Sequence, residues 1–494
     1  LWKPRKVKSD LTLQPDDIDG LLADMAGFGI QLRLEGDALR YTAAPGALTP
    51  DLRARLQAAK PAVIARLRQV DTTLLPASLT QRRFWELQRL DPEWSFYNVP
   101  FLFQLRGALD PALLRRSLDT IVARHESLRT TLHERDGKLL QVIAGAGEAD
   151  WQEADMRSAS DDEARAFLRQ EVLRRYDFTR DQILRAVLVR IADDTYLFQI
   201  CLHNVVFDLA SMMVILGEIS EHYSAFAAGR PSSLPPPVQY AEYVRWQAAR
   251  VVSGMDSRRT YWETWLTKGE PPPWSWPARA EPPRSAGFES LPTWTRLAPD
   301  QNARLQAFCR TRGVTVYIAM LTAYLLAVRQ YTGCPDITIG TTYSDRDDQR
   351  FASMIGASIV VPALRVDMSD NPDIAALLLR VREVVAAALL HQDLPIEEVV
   401  PRDSKGPLFR MVCTAFPDTP HGKLRLPGVQ ASWVEDWLNP ISRPQLYLVI
   451  WETPGPAGMS LTCHMMHRQD VWDADMAQAM IGTFETIVRS MVAG

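Results

Sequence analysis

Residues 202–211 read Leu-His-Asn-Val-Val-Phe-Asp-Leu-Ala-Ser. They set an imidazole (His203), a carboxamide (Asn204), a carboxylate (Asp208) and a hydroxyl (Ser211) on one short stretch. Such groups can manage the proton of a nucleophile and hold a carbonyl in place. Imidazole titrates near neutral pH, so it serves as a base or as a positioning partner. A carboxamide cannot titrate, but it both donates and accepts hydrogen bonds. Asn204 can therefore position a substrate or stabilise an oxyanion, and it cannot remove a proton. Other histidines read as structural. Arg124-His125-Glu126 ends an amphipathic helix begun by Asp110-Pro111, which makes His125 a capping residue. Cys463-His464-Met-Met-His467 lies in a run that alternates like a strand, with no second ligand cluster following, so no metal site is expected.

A rigid frame must hold these groups. Thr195 to Leu202 is apolar and β-rich, as a buried strand should be. Leu209 to Tyr223 has helical spacing in Met212, Ile215, Leu216 and Ile219. The polar groups thus fall on a strand-to-helix turn, from which a side chain can point into a cleft. From Ser78 onward, helical segments alternate with strand-like runs such as Ile337–Gly340 and Gln445–Trp451, and the apolar helix Val314 to Val328 is core. A Pro-rich break after Leu234 divides this stretch near its middle, and a second, after Glu270, reads as an extended surface crossing.

Residues 10–70 form a separate small unit. Asp16 to Met25 is helical in period and Gly27-Phe-Gly29 ends it. Ile30 to Leu34 and Ala38 to Tyr41 alternate around Glu35-Gly36-Asp37, which signals a β-hairpin. Thr49-Pro50 caps a helix to Ala59, and Pro61 starts another to Arg68. Residues 71–76 read as a linker.

The 494 residues are 47% hydrophobic and 23% charged, with net charge -4. That gives no nucleic-acid footprint, and no apolar run has the roughly 18 residues of a membrane span. The five cysteines are scattered and odd in number, so a reduced, cytoplasmic protein is expected. The chain opens without Met, which reads as a trimmed or excised piece of something longer.

The stretch 202–211 resembles the His-His-x-x-x-Asp-Gly signature of nonribosomal peptide synthetase condensation domains, with Asn204 at the second His and Leu209 at the Gly. Ser78-Leu-Thr-Gln81-Arg-Arg-Phe-Trp85 resembles the first motif of that family, and Arg124-His125-Glu126-Ser-Leu128-Arg129 the second. Tyr240 to Trp246, Ile355-Gly356 to Arg365, His391 to Glu397 and Arg402 to Leu408 resemble the fourth to seventh, in order. Residues 10–70 resemble a TubC-type N-terminal docking domain through Gly29-Ile30-x-Leu32, Arg40-Tyr41 and Ala47 to Pro50.

The resemblance implies an α/β (α+β) fold: two chloramphenicol-acetyltransferase-like lobes in a V, plus a small α-β-hairpin-α-α docking domain. The expected domains are 10–70, 77–245 (N-lobe) and 246–494 (C-lobe). It implies a tunnel between the lobes that is served by phosphopantetheine arms of donor and acceptor carrier proteins, with no cofactor bound directly. Asp208 is implied to be structural and paired with Arg346. His203 is implied to be structural too, and His391 to sit in a structural element near the lobe crossover. Leu209 and Val360 are expected to line the tunnel, Val360 replacing an Asn. Strand addition of an acidic C-terminal peptide of an upstream subunit to the hairpin is implied, with Arg33 and Arg40 as its anion partners. Two functions follow as expectations. One is a condensation-type acyltransferase whose His-dependent amide synthesis is weak, altered or absent. The other is a non-catalytic platform that recruits carriers or a tailoring enzyme in trans. A heterocyclisation domain is not expected, because that class carries Asp where His203 stands.

Overall fold

In the computed structural model of the protein, the residues described are 21–22, 24–25, 28, 30–35, 38–43, 47–69, 72–90, 92–252, 255–267, 287–346, 348–392, 410–455 and 457–493. Residues 21–22 and 24–25 are helical; the rest of the first expected helix lies outside the described residues, as do the second Pro-rich crossing and the seventh motif. Strands β1 (Gln31–Glu35) and β2 (Ala38–Thr42) form the hairpin, in register with Arg33 opposite Arg40. A single helix, α1 (Pro50–Gln69), follows where two helices were expected. Pro61 lies inside it. A proline costs an interior helix one hydrogen bond and a steric clash, but Leu52, Leu56, Ala59 and Val63 form one apolar face through that point. They pack on Leu21, Leu22, Met25, Ile30 and Leu32. Burial of this continuous face carries the helix past Pro61.

The expected linker is also shorter than 71–76, because Thr72–Pro76 is strand β3. It pairs with β6 (Lys138–Ala144), which pairs in turn with β5 (Thr130–Arg135).

The first lobe continues with α2 (Leu79–Leu90), β4 (Asn98–Gly107), α3 (Pro111–Arg124), β7 (Asp150–Asp155), α4 (Asp161–Leu173), β8 (Leu184–Ala192), β9 (Thr195–His203) and α5 (Leu209–Ala227). Every residue of β9 is buried, as its apolar run requires of a strand flanked on both sides, by β4 and β8. Helices α6 (Tyr240–Val252) and α7 (Met255–Thr267) lead into the second lobe. A boundary between residues 245 and 246 therefore falls inside α6. The second lobe holds β10 (Ser290–Leu297), α8 (Pro299–Arg312), α9 (Val316–Thr332), β11 (Asp336–Thr341), β12 (Tyr343–Ser344), β13 (Ile359–Val360), β14 (Ala363–Asp367) and α10 (Ile374–Leu390). The chain then ends with β15 (Met411–Phe416), β16 (Val429–Trp433), β17 (Leu446–Gly455), β18 (Gly458–Arg468) and α11 (Ala474–Ala493).

The second lobe's sheet runs β10-β18-β17-β15-β11-β14. The first lobe's sheet runs β16-β4-β9-β8-β7, so its edge strand comes from the second half of the chain. An assignment of all of 246–494 to one lobe does not hold for this segment. Leu424 and Leu426 also join the first lobe's core, and Trp437 donates its indole N–H to Gln199 Oε1 at 2.8 Å. Among the described residues, no single helix is long and apolar enough to cross a membrane.

Candidate functional site

The turn after β9 is held from both lobes. Asp208 caps the N-terminus of α5 in extended backbone, its carboxylate accepting the Ser211 N–H at 2.9 Å and the Ser211 hydroxyl at 2.7 Å. Across the lobe boundary, Arg346 grips the same carboxylate with Nε at 2.9 Å and Nη2 at 2.7 Å. Ser358 donates to Asp208 as well. Arg346 spends its Nη1 on the carbonyls of Phe351 and Met354 at 2.8 and 2.6 Å. Both partners are buried, at 2% exposure for the Asp208 side chain and 7% for Arg346. Burial alone would raise the Asp208 pKa, but the Arg346 guanidinium and the donors around it outweigh that and hold it below the usual carboxylate range. Ser211 is fully buried and accepts the Gly356 N–H at 3.0 Å, so it serves this joint and does not line the cavity described below. Gly356 itself is required by packing: a Cβ there would lie 2.1 Å from the Tyr240 ring.

His203 does not line the inter-lobe cavity described below. Its ring is caged by Phe178, Phe84, Tyr176 and Tyr97, the closest centroid being that of Phe178 at 4.6 Å. Its Nδ1 accepts the Val205 N–H at 3.0 Å. Desolvation, with Arg185 nearby, pushes its pKa down to about 3. It is a neutral structural imidazole. The other candidates for histidine chemistry are also structural. His125 caps α3 and meets Glu218 at 3.0 Å. His391 caps α10 and stacks on Tyr261 with centroids 4.1 Å apart. His464 and His467 are buried on β18, and among the described residues no cluster of His, Cys, Asp and Glu is placed to hold a metal. All five cysteines are buried.

Beside the turn, a cavity of about 2170 Å³ opens between the lobes. A drug-sized ligand site is roughly 300–1,000 Å³, so this one suits an extended substrate. Asn204 and Leu209 line it from the first lobe, and Tyr343, Tyr447 and Trp451 from the second. The Asn204 backbone N–H is fixed on Tyr97 O at 3.1 Å. Its side-chain Oδ1 is buried and meets no donor among the described residues. Leu209 is the first residue of α5 and has no positive φ, so it fills cavity space without straining the turn. Val360, expected to line the tunnel, does not. Its neighbours Ile359 and Val361 do, because side chains alternate along β13. Among the described residues, no histidine lines the cavity.

Several lining residues were not anticipated. Tyr447, Val449 and Trp451 face the cavity at every second position of β17, and Trp433 joins them from the crossed-over β16. The period-two spacing on β17 was the available signal. Nothing in the sequence marked β16, whose partner strand lies more than three hundred residues earlier.

Residues 72–493 match the family described as the condensation domain, and residues 18–69 the family described as the TubC N-terminal docking domain. Chondramide synthase of Chondromyces crocatus is 32% identical over 432 residues, which is 85% of this chain and 11% of that protein. The chain thus spans about a tenth of the length of this curated relative. Among solved structures, the X-domain from teicoplanin biosynthesis superposes with a TM-score of 0.73 at 23% identity, covering 85% of this chain and 95% of that one. The complex of the X-domain and OxyB from teicoplanin biosynthesis superposes with a TM-score of 0.71 at 23% identity, covering 85% and 93%.

Proposed function

The chain belongs to the condensation-domain family, with a TubC N-terminal docking domain ahead of it, and on that premise we propose that it is a condensation-type unit of a peptide or hybrid polyketide–peptide assembly line whose His-dependent amide synthesis is weak, altered or absent. Donor and acceptor carrier proteins deliver their phosphopantetheine arms to the inter-lobe cavity, and the protein binds no cofactor of its own. One observation carries the reading: a carboxamide, Asn204, lines the cavity where the family has its second histidine, and no described lining residue is a histidine. The Asn204 carboxamide lines the cavity and can hydrogen-bond a substrate there. It cannot take the proton. Asp208, Arg346 and Ser211 keep the joint in shape.

The assay uses the native chain with a loaded donor carrier and a loaded acceptor carrier, read by intact-protein mass spectrometry. Condensed product should be absent or slower by the roughly 10²–10⁴-fold that a general base contributes. Robust turnover by the native chain would overturn the reading. A second reading, a platform that binds carriers and recruits a tailoring enzyme, is supported by the likeness to an X-domain solved in complex with OxyB. It requires carrier binding without turnover.

The hairpin is proposed to take an acidic C-terminal peptide as an added strand. Arg33 and Arg40 are opposite one another in the register of the hairpin. Charge reversal at both, Arg33→Glu with Arg40→Glu, should weaken peptide binding about tenfold in fluorescence anisotropy, the effect shrinking in high salt. Unchanged affinity would remove these residues from the site.

A further inference from the structure

Strand β3, which stands where a linker was expected, fastens the docking unit to the condensation fold. Both of its faces are covered. On one, Leu74 packs on the docking unit's core and also meets Leu140 of β6. On the other, Leu75 meets Ile143 of β6 and Ala241 of α6. The alternation is that of any strand, and the register agrees, with Leu74 opposite Val142 and Leu75 opposite Gln141. Strand β1 of the hairpin lies against β3, with no ladder between them.

The same small sheet reaches the cavity. The Gln141 side chain donates to Pro76 O at 2.9 Å, at the end of β3, and accepts from the Gln81 side chain at 3.1 Å. Gln81 lies on α2, whose Arg82, Phe84 and Trp85 line the cavity. Ala77 donates its N–H to Leu139 O at 2.9 Å, and Gly137, Lys138 and Leu139 line the cavity at the start of β6. A unit the size of residues 18–69 buries only about 60% of the surface its unfolded chain exposes, and is marginal by itself. The cover that Leu74 gives its core therefore matters to the whole unit.

We propose that the docking unit and β3 open and close as one cooperative element, so that capture of an acidic tail at the hairpin is thermodynamically linked to the first-lobe wall of the cavity. The proposal rests on the reading of the hairpin as a peptide-docking site. Two states carry the linkage. In the seated state Leu74 is covered and β3 pairs with β6. In the unseated state the docking core lacks Leu74, the hairpin is not presented, and β3 frays away from Leu139 and Gln141. A tail that binds only the seated unit shifts the balance toward it. The linkage is reciprocal, so whatever loosens β3 weakens the tail's binding.

The test follows hydrogen–deuterium exchange in the full chain with a synthetic peptide of alternating Val and Glu, about eight residues long. At about a hundred times its Kd, the peptide should slow exchange in β3 and β6 about fivefold or more, and leave β17 and β18 unchanged. Leu74→Ala alters no hairpin residue. It should still weaken the peptide about fivefold in fluorescence anisotropy, and speed exchange in residues 47–69 of the docking unit. Bound peptide with unchanged exchange in β3 and β6, or with equal slowing in β17 and β18, overturns the linkage and leaves the docking reading standing. Native peptide affinity in Leu74→Ala does the same. A native chain that does not bind the peptide overturns the docking reading. Exchange in residues 47–69 then decides the joint by itself: faster in Leu74→Ala supports it, and unchanged overturns it as well.

Discussion

In thermal unfolding, Asp208→Ala is expected to lower the melting temperature by about 3–6 °C. The substitution leaves the Arg346 guanidinium buried without its carboxylate, and breaking a buried pair from one side costs about 3–5 kcal/mol. For a unit of roughly 420 residues, at about 2.1 cal/mol/K of unfolding entropy per residue, that cost converts to the stated shift. The α5 cap on Ser211 N–H is lost in the same change. Two controls separate the ion pair from simple truncation. Asp208→Ala combined with Arg346→Met should cost clearly less than the two single changes added together, because no uncompensated charge remains. The effect should also depend on pH in one direction. The folded carboxyl is held below its ordinary value, so its stabilisation is fully present above about pH 4–5 and is lost as pH falls through the folded value. The gap between native and Asp208→Ala should therefore stay constant from neutral pH down to about 5, and narrow only at lower pH. Additive single effects, or a gap that widens in acid, would mean that the pair does not hold the joint.

That joint shows which parts of the fold local sequence could carry. The apolar run of β9 and the helical spacing of α5 are short-range patterns, and together they fix a turn with Asp208 at a helix cap. Gly356 was visible as a motif residue, but its reason is the Tyr240 ring that crosses it from α6. The errors share a cause. Helix α1 runs through Pro61 because a tertiary apolar face outweighs a local breaker. Thr72–Pro76 is a strand because β6 pairs with it, and a five-residue edge strand has little signal of its own. Strand β16 crosses to the first lobe through pairing with β4, a decision made across the whole chain. Val360 was misplaced by one residue, which on a strand exchanges the two faces. Asn204 was legible as a lining residue because it sits on the rigid turn; Trp433 was not, because its strand changes lobes.

Asn204→His tests the chemistry directly, and condensed product is expected to rise about 10²-fold or more over the native chain when the acceptor amine arrives protonated. The two adjacent motif positions differ in environment. His203 sits in an aromatic cage that pushes its pKa down to about 3, so no histidine there can act as a base near neutral pH. Position 204 is half-buried and lines the cavity, where an imidazole keeps contact with solvent and substrate and so titrates nearer its ordinary value. Leu209→Gly should add to the gain by clearing cavity space beside that imidazole. Its cost to α5 is about 1 kcal/mol or less, since the position is the first of the helix. Mass spectrometry of the carrier-bound product reads both variants against the native chain. Equal product from native and Asn204→His would show that the carboxamide already suffices, as it would if the amine reaches the cavity neutral. With carriers bound and no product from Asn204→His/Leu209→Gly, a missing base no longer explains the silence, and the platform reading takes precedence. A gain confined to the histidine variants would locate the loss of ordinary condensation at a single side chain, on a turn that Asp208 and Arg346 still hold in place.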